Sequence, residues 1–143
     1  MLRGIPPILG PDMLHIMRAM GHGDELVIAD ANFPASSQGP EVIRIDGVSG
    51  TDLAEAILKL MPLDEFVPEQ AFVMQVVGDP SAKPPVVLEY EKIVAKYEPK
   101  AKVGSIERME FYERAKTTFA IVQTGENRLY GNLILKKGII RPD

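Results

Sequence analysis

Four groups of residues carry side chains fit for chemistry. The first is His22, set between Gly21 and Gly23 and followed at once by Asp24 and Glu25. The second is Asp30 with Asn32, just after the apolar run Leu26-Val27-Ile28-Ala29. The third is Tyr130-Gly131-Asn132, and the fourth is Arg108 in the segment ERMEFYERAK. An imidazole titrates near neutrality, so a histidine gives or takes a proton at cellular pH. Glycines on both sides of His22 mark a backbone that bends sharply or that a ligand approaches closely. Polar groups just beyond a strand stand where open α/β sheets gather their ligand-binding residues. An aromatic face next to an amide is a common way to hold a sugar. One histidine, one aspartate and polar neighbours, with no cofactor motif, suit proton transfer on a small neutral polyol, with Asp30 binding a hydroxyl pair or orienting the sugar.

Each group also has a plainer reading. Asp30 and Asn32 fit a side-chain-capped turn. Tyr130 and Gly131 fit a core aromatic beside a β-bulge glycine. Arg108, in the first turn of its helix, is disfavoured by the helix dipole, which suits a ligand-facing role, but surface pairing with Glu107 or Tyr112 is equally open. His15 falls off the Leu14/Met17 face and reads as a surface residue.

Several chemistries lack their residues. The chain has 143 residues and no cysteine, so disulfides and thiolate metal sites are excluded, and a reducing compartment is compatible. Two histidines without an HExxH pattern make no recognisable zinc site. There is no GxxxxGK[ST], GxGxxG or nucleophile elbow, which leaves nucleotide binding and covalent acyl transfer without a motif. No cofactor and no metal are expected. The net charge of -4 and the lack of a Lys/Arg cluster argue against nucleic acid or an anionic membrane as partner. No apolar run approaches a membrane span, and no secretory h-region stands near Arg3. A cytoplasmic protein is the expectation. Composition, 45% hydrophobic and 25% charged, is that of an ordinary globular protein, and the length favours one domain over residues 1–143.

The elements that must position these groups alternate along the chain. Residues 1–11 predict a short strand or extended arm. Pro11 opens a helix whose apolar positions are Met13, Leu14, Met17 and Met20, with Gly21 as its C′ residue. A buried strand over 26–29 follows, then turn composition at 35–41 and a strand over 42–45. Ser49 predicts an N-cap for a helix bearing Leu53, Ala56, Ile57 and Leu60, closed by Pro62. The run 71–77 predicts a strand and 86–97 a helix, with Glu89 and Lys92 spaced to pair. Residues 99–104 read as loop, with Ser105 capping a helix over about 106–116. Residues 119–123 predict a strand, and 129–136 an extended segment broken by Gly131. This alternation favours a single α/β domain.

Taken together, GIPPILGPDML, MGHGDELVIADANFP, IERMEFYERAK and LYGNLILKKG resemble the RbsD/FucU sugar mutarotase family, which holds D-ribose pyranase and L-fucose mutarotase, and the resemblance covers essentially the whole chain. It implies a compact three-layer α/β/α domain with a mixed sheet. It implies a homo-oligomer, a decamer of two stacked pentameric rings, with active sites at subunit boundaries. Position by position, it implies His22 as the catalytic acid/base and Asp30, Arg108, Tyr130, Gly131 and Asn132 as substrate-binding residues. ERMEFYERAK resembles the fucose branch, whose arginine at Arg108 replaces a histidine of the ribose branch. The implied reaction interconverts the α and β anomers of L-fucose by ring opening and closure, with ribose, galactose or a relative as alternative substrates. A sugar-binding module without turnover would keep Asp30 and Tyr130-Gly131-Asn132 but not need His22, and a purely structural ring protein would bind no monosaccharide.

Overall fold

Along the four central strands of this protein, successive apolar residues point to opposite faces, and that alternation builds its two cores. Leu26 and Ile28 point to one face of the sheet, Val27 and Ala29 to the other. Ala120/Val122 and Ile121 divide in the same way, as do Leu133/Leu135 and Ile134, and Ala71/Val73 and Phe72/Met74. Period-two alternation with both faces apolar requires cover on both sides. A computed structural model describes all residues 1–143.

The strands are β1 (Glu25–Ala29), β2 (Glu41–Ile45), β3 (Ala71–Met74), β4 (Val103–Ile106), β5 (Ala120–Thr124) and β6 (Leu133–Lys136). They form one sheet in the order β2-β5-β1-β6-β3-β4. Only β6 runs antiparallel, between β1 and β3. The helices are α1 (Pro11–Ala19), α2 (Gly50–Leu58), α3 (Pro85–Tyr97) and α4 (Arg108–Ala115). Helices α1, α2 and α3 cover one face, where Met13, Ile16, Leu53, Ile57, Val86 and Tyr90 join the larger core. Helix α4, through Phe111 and Ala115, covers the other with Phe33 and Ala35. The result is the expected α/β/α arrangement with a mixed sheet. Each fully buried Leu, Ile or Phe of these cores contributes about 1.5–3 kcal/mol.

Ser49 caps α2 as expected, its side chain accepting the Asp52 N–H at 3.1 Å. Pro11 starts α1, and His15 is exposed on it. Other local expectations need correction. Residues 1–10 form no strand. Residues 103–106, read as the end of a loop, a helix cap and the start of a helix, are the edge strand β4, paired parallel to β3. Ser105 therefore lies in a strand, and the cap of α4 is Glu107, whose carboxylate accepts the N–H groups of Met109 and Glu110. Strand β3 stops at Met74, because Val76–Asp79 folds into a turn with Gly78 at φ 81°. Glu89 pairs with Arg128 across to another segment rather than with Lys92.

The two ends of β6 organise the molecule. Pairing with β1 matches Ile28 with Leu133 and Glu25 with Lys136. The amino end of β6 thus lies beside Asp30 at the carboxyl end of β1. At its carboxyl end, Lys137 accepts the Gly23 N–H and donates to Asp24, while Lys136 accepts the Asp64 N–H. One short strand holds the Tyr130–Asn132 segment at one end of the central strands and the His22 and Asp64 loops at the other.

Candidate functional site

At the first of these ends, the carboxyl ends of β1 and β3, the start of α4 and the segment before β6 enclose an open cavity of about 190 Å³. Its lining is Asp30, Asn32, Phe33, Met74, Arg108, Tyr112, Leu129, Tyr130 and Asn132. Asp30 and Asn132 form its buried floor. The Asp30 N–H donates to Asn132 Oδ1 at 2.8 Å, and Asn132 Nδ2 donates to Asp30 Oδ2 at 2.9 Å. Asp30 Oδ1 accepts the Asn32 N–H at 2.9 Å. The side-chain-capped turn is therefore present, and the same carboxylate is held rigidly against the cavity. Burial pushes the Asp30 carboxyl above the usual carboxylate range, against the hydrogen bonds from Asn32 and Asn132 that lower it, and the charge of Glu126 adds to the rise.

Arg108 is the first residue of α4, exposed, and forms no ion pair with Glu107 or any other residue. A cation at a helix amino end is disfavoured by the dipole, so it stands as a free donor at the cavity. Tyr112, one turn further on, lines the same cavity with its ring tilted against Phe33 at 5.4 Å. Tyr130 takes φ 64°, a left-handed conformation costly for a residue with a side chain. Its hydroxyl accepts the Val77 N–H at 3.2 Å. Gly131 lies in the turn before β6, so the β-bulge reading does not hold. A Cβ there would come within 2.6 Å of Glu126 Cγ, so glycine answers a packing demand from behind the cavity.

His22 is not in this cavity. It precedes β1, whereas Asp30 follows it, and a five-residue strand separates them by roughly 17 Å. The turn that carries His22 has Gly23 at φ 87°, a conformation open to glycine. Gly21 is the C′ residue of α1 as expected, without a positive φ. His22 Nε2 lies 2.9 Å from Oδ1 of Asp64, whose side chain is 4% exposed against 44% for the histidine. Asp64 also accepts the Phe66 N–H at 3.0 Å. Burial raises the Asp64 carboxyl, but the bonds from His22 and Phe66 outweigh it and hold the group below the usual aspartate range. An ionised Asp64 can only accept, so Nε2 carries the proton and Nδ1 is left as the free basic nitrogen. The Phe66 ring, 61% exposed, packs against the imidazole at 5.4 Å.

The structure thus brings together Asp30, Arg108, Tyr130 and Asn132 and keeps His22 apart with a partner that sequence reasoning missed. Asp64 had one legible signal, its place at the head of an Asp-x-Phe turn. Tyr112 had another, its i+4 spacing from Arg108 on one helix face. Met74 and Phe33 carried none. No three His, Asp or Glu side chains converge to hold a metal ion, and no helix is long and apolar enough to cross a membrane.

Residues 3–140 match the RbsD / FucU transport protein family. The human fucose mutarotase is 51% identical over 147 residues, covering 97% of this chain and 94% of that protein. A fucose mutarotase from Streptococcus pneumoniae, solved in complex with L-fucose, superposes with a TM-score of 0.91 at 40% identity, over 98% of this chain and all of that one. Bacillus subtilis RbsD, solved with D-ribose, shares the fold at a TM-score of 0.73 and 21% identity, over 99% of this chain and 100% of that one.

Proposed function

This chain belongs to the RbsD / FucU family, and from that membership we infer that it is a fucose mutarotase, an isomerase that interconverts the anomers of a free sugar. L-fucose is the substrate this reading names, supported by the free guanidinium of Arg108 at the cavity and by the fucose-type segment around it. The observation that carries the chemistry is the His22–Asp64 pair: an exposed imidazole oriented by a buried carboxylate.

Anomer exchange requires three events. The anomeric hydroxyl loses its proton, the C1–ring-oxygen bond breaks as the ring oxygen gains a proton, and the aldehyde turns about C1–C2 before closing on its other face. His22 moves protons at the reacting oxygens, and Asp64 fixes its tautomer. Asp30, Arg108, Tyr130 and Asn132 hold the sugar, with Tyr112 beside them. General acid/base catalysis contributes about 10²–10⁴-fold, which suits a reaction that already proceeds in water, and positioning adds to it.

The two halves of this machinery lie at opposite ends of the strands of one chain, so the working site joins the His22 end of one subunit to the Asp30 end of the next. The cavity of about 190 Å³ is smaller than the roughly 300–1,000 Å³ of ordinary ligand pockets, as a half-site would be. Exposed apolar side chains flank both halves, Phe66 at one and Val77 and Leu129 at the other. A head-to-tail contact of this kind closes into a ring, and the assembly proposed is a decamer of two pentamers. The cytoplasm is the location proposed, in keeping with a chain free of cysteine.

Exchange NMR on equilibrated L-fucose tests the activity. Added protein should speed α/β interconversion, and no acceleration for fucose, ribose or galactose rejects the reading.

A further inference from the structure

Behind the sugar cavity lies a buried phenol that none of the chemistry above uses. Tyr90, on α3, is fully buried, and its hydroxyl donates to the Gly131 carbonyl at 2.9 Å. Burial pushes this phenol well above its usual range, with the charge of Glu126 adding to the rise, so it remains a donor. The fit around it is close on two sides. Gly50 opens α2 against the hydroxyl, where a Cβ would lie 2.1 Å from the oxygen, and Gly131 meets Glu126 on its other flank. The segment it grips is the strained one: Tyr130, just before Gly131, has φ 64°. A left-handed non-glycine residue persists only where its surroundings over-determine it.

Tyr130 offers the cavity its ring, and Asn132 holds Asp30, so the peptide between them sets both. We propose that Tyr90 is a positioning residue for sugar binding: its hydrogen bond to Gly131 pins the Tyr130–Asn132 backbone in the conformation that presents Tyr130 and Asp30 to the sugar. The proposal rests on the fucose mutarotase reading. It places the control of affinity in a side chain that never touches the ligand, on the face of the sheet opposite α4.

Tyr90→Phe removes the donor and leaves the ring. Tyr97→Phe is the matched control, since Tyr97 lies two turns along the same helix and donates to Glu55 away from the cavity. KM and kcat come from exchange NMR over a range of L-fucose concentrations, and Kd from calorimetry. A buried carbonyl left without its partner is destabilised, so Tyr90→Phe should raise KM and Kd about tenfold with kcat within about twofold of wild type. Tyr97→Phe should change neither. Unchanged KM and Kd in Tyr90→Phe, or an equal rise in Tyr97→Phe, overturn the proposal. Sugar binding by the wild type without faster anomer exchange rejects the mutarotase reading alone, and Kd then still decides on Tyr90. A wild type that neither binds nor turns over fucose overturns both. Should Tyr90→Phe not fold, the wild-type chain carrying 3-fluorotyrosine decides: the Tyr90 fluorine signal should shift on saturation with fucose while that of Tyr97 stays, and an unmoved Tyr90 signal overturns the proposal.

Discussion

Asp30 and Asn132 stand 102 residues apart in sequence and hold each other by two hydrogen bonds, backbone N–H to amide oxygen and amide nitrogen to carboxylate. Both are buried, at 5% and 3% exposure. Asn132→Ala leaves an Asp30 N–H and a carboxylate oxygen unpaired in the interior, which should cost about 1–3 kcal/mol of stability and raise KM for L-fucose. Urea unfolding and anomer-exchange kinetics check both effects. A variant as stable as wild type would show that the pair contributes nothing to the fold.

Arg108 behaves oppositely. It makes no ion pair and sits at the disfavoured end of α4, so Arg108→Ala should leave stability within about 0.5 kcal/mol of wild type. Loss of a charged donor to the sugar should raise KM about 10- to 100-fold. A marked fall in Tm with KM unchanged would assign Arg108 to the fold instead.

Asp64 gives a pH dependence with a definite sign. Its carboxyl is held below the ordinary aspartate value in the folded chain, so its contribution to stability is present above that value and is lost as pH falls through the lower, folded one. The Asp64 carboxylate's contribution to the stability difference between wild type and Asp64→Asn should therefore be lost below about pH 4. Thermal melts from pH 7 to pH 3 measure it. Asp30 has the opposite sign: its carboxyl is raised, so its contribution is present below the ordinary value and is lost as pH rises through the folded one.

A shared site makes a prediction about mixtures. His22→Ala should remove about 10²–10⁴-fold of rate while the fold survives, because His22 is exposed. When His22→Ala and Asn132→Ala chains, each deficient alone at L-fucose concentrations well below the raised KM, are dissociated and reassembled together, some boundaries will pair an intact His22 with an intact Asn132 from different chains. Recovered anomer exchange is the expected result. No recovery in proven mixed oligomers places both residues in one subunit's site.

Much of this molecule was legible before folding. The apolar run Leu26–Ala29, the strand over residues 119–123, the Ser49 cap and the Pro11 start depend on neighbours a few residues away, and they appear close to where local chemistry puts them. The reactive residue types at positions 22, 30, 108 and 130–132 were legible for the same reason. Strand β4 was not, because four residues containing a glycine become a strand only when β3 offers a partner, and with β4 in place the cap passes from Ser105 to Glu107. Nor could the chain by itself say that Asp30 would be held by Asn132, 102 residues away, or that His22 would find its carboxylate 42 residues away. Those relations come from the antiparallel insertion of β6 between β1 and β3. Strand order and register are set by hydrogen bonds and packing between segments distant in sequence, and no local pattern encodes them.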